Sequence, residues 1–312
     1  MKTFFVTEHD VDTTLAAVLR RHLELSWNDA RRLCETGKVF VNENRELDSV
    51  RRMKAGASIE IRMNAKAPLS KEQTQALSAI VYEDSQVIVI DKPAGISSVP
   101  YDRGESGTAM DLIREAWRTK GLSATSTPLL IVHRIDKETS GLLMFAKTKA
   151  AEIFLQKLLR AHEVERKYLC VAHGRVVDQT IDTYFIDDRG DGLRGSVKEV
   201  SRHPHAKHAI THVRALEYLN DATLCEVKLE TGKTHQIRIH LAEREYPLVG
   251  ETVYIRDFIR HGHVPIESPR LLLHAETLGF VHPTTSEPMM FSREPPLDFR
   301  RMLKNLQKPR IV

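Results

Sequence analysis

Leu130-Ile131-Val132-His133-Arg134-Ile135-Asp136-Lys137-Glu138-Thr139-Ser140-Gly141-Leu142-Leu143-Met144-Phe145 sets two apolar runs on either side of a polar connection that ends in glycine. The pattern predicts strands over 129–132 and 142–145, with Asp136 carried on a loop at a sheet end, where rigid neighbours can present a reactive group. On the residues alone a plain turn, with Asp136 bonding its own backbone, is the stronger reading. Outward from this stretch, β-rich runs recur at 87–90, 168–171 and 224–229, and helical spacing appears at 109–119 and 151–161. Strands with scattered helices and no regular βαβ alternation predict an α+β domain on a mainly antiparallel, mixed sheet.

The first sixty-odd residues read as a separate unit. Asp12 is the expected cap of a helix whose Leu15, Val18, Leu19 and Leu23 share one face. Ser26 and Asp29 have capping-box spacing for a second helix ending near Gly37, followed by strands at 38–42 and 57–62. Basic residues come in pairs here: Arg20-Arg21, Arg31-Arg32 and Arg51-Arg52, with Lys38 nearby. They serve equally well as a phosphate-binding face or as a solvated face paired with Glu24, Glu35 and Glu46. Polar, aperiodic residues 64–74 are the expected linker, giving domains at 1–63 and 75–312.

A chain of 312 residues suits about two domains. The net charge of +4 is too small to announce nucleic acid by itself, so local clustering of the bases must carry that argument. Cys34, Cys170 and Cys225 lie far apart, which argues against a disulfide framework and a cysteine zinc site. The N-terminus turns polar too soon for a signal peptide, and no apolar run approaches the roughly 18 residues of a membrane span. The expectation is a reduced, cytoplasmic protein, monomeric by default, with no membrane partner.

Two resemblances sharpen this reading. Ser26-Trp27-Asn28-Asp29-Ala30-Arg31-Arg32-Leu33, Gly37-Lys38-Val39-Phe40-Val41-Asn42 and Lys54-Ala55-Gly56-Ala57-Ser58-Ile59-Glu60-Ile61 follow the order of the S4 domain, a small α/β RNA-binding module. That likeness implies that Arg31, Arg32 and Lys38 meet RNA. His133-Arg134-Ile135-Asp136, with Thr139-Ser140-Gly141-Leu142 two positions on, resembles the motif of the RluA-type pseudouridine synthases. Asp91-Lys92-Pro93-Ala94-Gly95, Glu165-Arg166-Lys167-Tyr168-Leu169 and the stretch from Thr231 to Leu241 arrive in that family's order, as do Pro247-Leu248-Val249-Gly250-Glu251 and Leu271-Leu272-Leu273-His274-Ala275. Glu251, where the family commonly has aspartate, is taken as a change outside the reacting centre.

The likeness to this family implies the pseudouridine synthase fold and the isomerisation of uridines in structured RNA, ribosomal RNA of the large subunit favoured over transfer RNA. It makes Asp136 the catalytic aspartate and Arg238 its partner, Tyr168 the residue that stacks on the uracil, and Arg134 the side chain that fills the gap left by the extracted base. His133, Thr139, Lys233 and Gln236 in the same motifs are candidates for holding the nucleotide. Substrate and product are isomers, so no cofactor and no metal is expected. A carboxylate suits the chemistry as nucleophile or as base, and a neighbouring guanidinium would keep it ionised and could grip it with both arms. On pattern alone Arg238 could equally be a surface arginine on an alternating strand, sharing one face with Gln236 and His240, a reading the match speaks against.

Two weaker signals point elsewhere. Gly190-Asp191-Gly192-Leu193-Arg194-Gly195 has dinucleotide-loop spacing but no apolar helix behind it, so a loop is expected. His203, His205, His208 and His212 have no carboxylate or cysteine among them and no helical ligand spacing, and are expected to form a basic loop facing RNA. The rival readings are a non-catalytic RNA-binding or ribosome-assembly factor, against which Asp136, Tyr168 and Arg238 all stand, and an NAD- or metal-dependent enzyme resting on these two signals.

Overall fold

A computed structural model of the chain describes residues 2–102, 104–201 and 203–308. The chain divides into two compact units, Met1–Thr74 and Gln75–Val312.

The small unit contains β1 (Lys2–Phe5), α1 (Leu15–Leu23), α2 (Trp27–Glu35), β2 (Val39–Val41), β3 (Asn44–Arg45) and β4 (Ser58–Ile61). Its sheet has the order β1-β4-β2-β3 and is antiparallel throughout. Leu15, Val18 and Leu19 of α1 meet Ala30 and Cys34 of α2 and Val39, Ile59 and Ile61 of the sheet in one core. The cap of α1 is Thr14, whose Oγ1 accepts from the Ala17 amide at 3.3 Å, and not Asp12. Asp12 has φ +61°, whereas an N-cap needs an extended backbone. Ser26 does cap α2, accepting from the Asp29 amide at 3.1 Å, and Gly37 takes the expected positive φ beyond it.

The helix α3 (Lys71–Ala79) begins inside the stretch expected to be an aperiodic linker. Then come β5 (Ile80–Glu83), β6 (Val87–Lys92), α4 (Ala109–Thr119), β7 (Leu130–Ile131), β8 (Ser140–Ala146) and α5 (Lys149–Arg160). The chain continues through β9 (Glu165–His173), β10 (Gln179–Ile186), β11 (Gly195–Val197), β12 (Lys207–Tyr218), β13 (Ala222–Leu229), α6 (Gln236–Glu243) and α7 (Arg256–Arg260). It closes with β14 (Leu273–Val281), β15 (Pro288–Ser292) and α8 (Leu297–Gln307). One 11-stranded sheet runs β11-β10-β12-β13-β9-β14-β8-β6-β5, with β15 on β14 and β7 on β8. This is the α+β, mainly antiparallel architecture expected; among the described residues its one parallel pairing joins β14 to β8.

The central strands are covered on both faces, which explains their continuous apolar runs. Ile88, Ile90, Leu143 and Phe145 point into a core shared with Ile113 and Trp117 of α4 and with Ile237 and Leu241 of α6. Their neighbours Val87, Val89, Leu142 and Met144 point the other way, onto Ala151, Leu155 and Leu158 of α5. At the parallel pairing Gly141 stands opposite Ala275 with φ +108°, and a Cβ on it would lie 2.2 Å from the Ala275 carbonyl oxygen. Only glycine fits there.

The Gly190–Gly195 run is a loop that leads into the edge strand β11, with Asp188 accepting from the Gly190 and Gly192 amides. His208 and His212 lie on β12 rather than in a loop, and partners from outside their own segment meet them: Asp182 at 2.6 Å and Glu230 at 2.7 Å.

Candidate active site

The loop between β7 and β8 is fixed on both sides of Asp136. Before it, Ile135 is buried, its amide donating to Ser98 Oγ at 3.1 Å while the Ser98 hydroxyl donates to its carbonyl at 2.7 Å. After it, the Lys137 carbonyl accepts from Lys92 Nζ at 3.1 Å and from the Gly95 amide at 2.8 Å. Lys92 is fully buried and also donates to the Pro93 and Ile96 carbonyls, each at 2.9 Å. Burial pushes its ammonium down to about 7, against the pull of Asp136 and Glu138. The Thr139 amide closes the turn onto the Asp136 carbonyl at 3.1 Å. Neither Lys92 nor Ser98 carries a functional role in the sequence reading, because both act on main-chain atoms of the loop.

Asp136, its side chain 17% exposed, lines an open cavity of about 720 Å³. His133, Arg134, Thr139, Tyr168, Lys233 and Gln236 line the same cavity, so most of the expected site residues converge on one place. Tyr168 stands on β9 between β13 and β14, 7% exposed, and burial holds its hydroxyl above the usual tyrosine range. Arg134 is exposed at the cavity. His133 accepts from the Met144 amide through Nε2 at 3.2 Å, and burial followed by the charge of Arg166 holds it down at about 3. The ring is therefore neutral, with its proton on Nδ1.

Gln236 departs from its expected role. Its Oε1 accepts from Thr231 Oγ1 and the Lys233 amide, and its Nε2 donates to the Ile210 carbonyl and Thr211 Oγ1, all between 2.8 and 3.0 Å. Every polar atom is used within the protein, so Gln236 locks the cavity wall and does not read a nucleotide.

Arg238 departs further. It lies on α6, not on a strand: six consecutive residues, Gln236 to Leu241, are buried, so the helix has no polar face to betray its period. Each polar member has an internal partner, as His240 does in Thr183 and Thr211 at 2.8 Å. The guanidinium grips Glu251 with Nε and Nη2, both at 2.7 Å, leaving Nη1 at 3.6 Å from Glu138 and 4.0 Å from Asp136. The two-armed grip expected on Asp136 is thus made on Glu251. Burial pushes that carboxyl up, but Arg238 and the Val253 and Tyr254 amides outweigh it and hold it below its ordinary range. Glu251 therefore belongs to the site's framework, correcting its placement outside the reacting centre. Only pairing across the fold reveals this, and Gly250, at φ +82° with the Arg270 carbonyl against its Cβ position, fixes the turn that brings it in.

The remaining expected residues lie in the small unit. Arg31 and Arg32 are exposed on α2. Lys38 is half-buried and its ammonium donates to the Ala65 carbonyl, so it also straps its own unit.

Comparison with known proteins places the chain in a family. The RNA pseudouridylate synthase family profile matches residues 86–243, which include Asp136, Tyr168 and Arg238. The chain is 38% identical over 232 residues to the "Uncharacterized RNA pseudouridine synthase YlyB" of Bacillus subtilis, covering 73% of each protein. It is 31% identical over 303 residues to the "Ribosomal large subunit pseudouridine synthase D" of Zymomonas mobilis, covering 95% of this chain and 93% of that one. Among solved structures, "Human RNA Pseudouridylate Synthase Domain Containing 4" shares the fold with a TM-score of 0.57 at 22% identity, over 76% of this chain and 97% of that one. With a profile that takes in the Asp136 loop and a relative matched along nearly the whole sequence, the chain belongs to the RNA pseudouridylate synthase family and is an RNA pseudouridine synthase.

Proposed function

We propose that this enzyme isomerises uridines of large-subunit ribosomal RNA, drawing each target base out of its stack into the cavity, with Asp136 as the catalytic group. The observation that carries the reading is a carboxylate at the cavity, fixed through the backbone on both sides, with a buried guanidinium at 4.0 Å and a buried tyrosine lining the same space. The N1–C1′ bond breaks, the uracil turns, and C5 joins C1′; the C5 proton leaves and N1 ends protonated, so atoms and electrons balance within the nucleotide. Asp136 acts as nucleophile or as base at the sugar or ring. Tyr168 stacks on the base with its hydroxyl towards the C5 proton. Arg238, anchored on Glu251, is a positioning cation whose remaining arm faces the reacting carboxylate.

Extracting a base costs a few kcal/mol, which Arg134 offsets by entering the gap. Loops and bulges are the favoured targets, because their bases are already loosely stacked. The small unit serves as an S4-like RNA-binding module through Arg31 and Arg32, and the enzyme works as a cytoplasmic monomer. The names of relatives that modify the large ribosomal subunit favour ribosomal over transfer RNA.

The test supplies Asp136→Asn and wild type with RNA from cells lacking the protein, and maps pseudouridine chemically. Wild type should restore a defined set of positions and Asp136→Asn none. Modification by the variant would remove Asp136 from the reaction; binding by wild type without modification would favour a non-catalytic assembly role.

A further inference from the structure

Arg166 lies on β9 two residues before Tyr168, lines the same cavity and is 8% exposed. Its Nε is sealed from solvent without an acceptor, and the guanidinium's one hydrogen bond runs from Nη2 to the Glu230 carbonyl at 3.4 Å. Among the described residues it forms no ion pair. Buried guanidiniums normally have a carboxylate partner, as Arg238 has in Glu251. Arg166 faces a cavity instead. Gly232 leaves room for it, since a Cβ there would stand 2.8 Å from Nη1. Lys233 follows at once, its ammonium pushed down by burial and then by the like charge of Lys207. The cavity lining carries five Arg and Lys side chains, Arg134, Arg160, Arg166, Lys207 and Lys233, against the single carboxylate of Asp136. So many cations exceed what a neutral uracil alone would call for.

We propose that Arg166, with Lys233 beside it, receives a phosphodiester of the RNA strand next to the extracted uridine, while Lys207 meets the same charge at the rim. A guanidinium can grip two phosphate oxygens at once, which fills the donors now left empty. The contact fixes the strand, and thereby sets how far the uridine reaches towards Asp136. This inference rests on reading the cavity as the uridine site.

The test uses the full-length protein and RNA from cells lacking it, measuring affinity by filter binding between about 50 and 200 mM salt, and pseudouridine formation separately. Each phosphate contact to a single strand contributes about 0.7 to the slope of log affinity against log salt. Arg166→Gln should lower the slope by that amount, and Arg166→Lys should keep it. Lys233→Gln, at a half-buried position, should lower it too and stands in if Arg166→Gln fails to fold. Slopes equal to wild type in both Gln variants, whatever their thermal stability, would overturn the proposal and leave Arg166 a structural residue. A wild type that binds RNA with the expected slopes but forms no pseudouridine would sink the functional reading and not the phosphate contact.

Discussion

The two units differ in how they treat the charged groups they enclose. In the small unit the buried group is an acid: Asp10 is fully enclosed, with Arg21 at 2.6 Å, His22 at 2.8 Å and the Thr7 hydroxyl at 2.7 Å, while Arg31 and Arg32 stand outside. In the catalytic unit the bases Lys92, Arg166 and Arg238 are buried together with the acid Glu251, while the acid Asp136 faces open space. The difference lies less in burial than in satisfaction. Asp10 has its partners and does structural work; Asp136 is held through its backbone while its carboxylate is left available. Framework groups are saturated by the protein, and functional groups are positioned by it with capacity to spare.

Four changes would break or sharpen this contrast. The largest effect should come from Gly141→Ala, which drives a methyl group into the Ala275 backbone beside the Asp136 loop. A loss of about 4 kcal/mol or more in urea unfolding is expected, with no pseudouridine formed. A wild-type midpoint would show that the parallel pairing tolerates what its geometry forbids. Next, Glu251→Gln leaves Arg238 buried without its carboxylate and should cost about 3–5 kcal/mol and most of the activity. Full activity with lowered stability would separate Glu251 from the positioning of Asp136.

Third, Asp10→Asn tests the small unit. Burial pushes the Asp10 carboxyl up, but hydrogen bonds from His22 and Thr7 outweigh it and bring it from 3.8 to about 2. A folded-state value below the unfolded one adds stability that is present above about pH 4 and is lost as pH falls through about 2. That contribution is on the order of 2 kcal/mol. The wild-type advantage over Asp10→Asn should thus be full at pH 7 and vanish near pH 2. Each unit holds one of the two tryptophans, Trp27 and Trp117, so fluorescence in a Trp117→Phe background reports the small unit alone. A difference independent of pH would remove the carboxylate from the account. The smallest effect should follow Arg31→Ala with Arg32→Ala: unfolding midpoints within about 0.5 kcal/mol of wild type, but a flatter salt dependence of RNA affinity. An unchanged salt slope would take this face out of RNA binding.

What the sequence made legible follows from the same contrast. Strands at 87–90 and 142–145 were readable as short continuous apolar runs, and the helix at 109–119 because its apolar periodicity matches the face it buries. The Asp136 loop was readable because polar residues interrupt two strands there. The helix that carries Arg238 was not, since a segment buried all round loses its polar stripe and its alternating Gln, Arg and His mimic a strand. Glu251 escaped because its meaning lies in a partner 13 residues away that only the fold brings near. Lys92 stood in a stretch that matched the family, but its role and that of Ser98 are played on main-chain atoms, which every residue has.

The parallel pairing of β8 with β14 also carries a consequence for synthesis. Ser140 and His274 are 134 residues apart, yet their hydrogen bond of 2.9 Å sits where the Asp136 loop meets the sheet. A ribosome making this chain will have released the whole small unit, whose core closes within the first 74 residues, long before β14 emerges. The growing polypeptide therefore passes through a stage with a finished small unit and an unassembled reaction centre, which closes only once β14 has emerged to pair with β8.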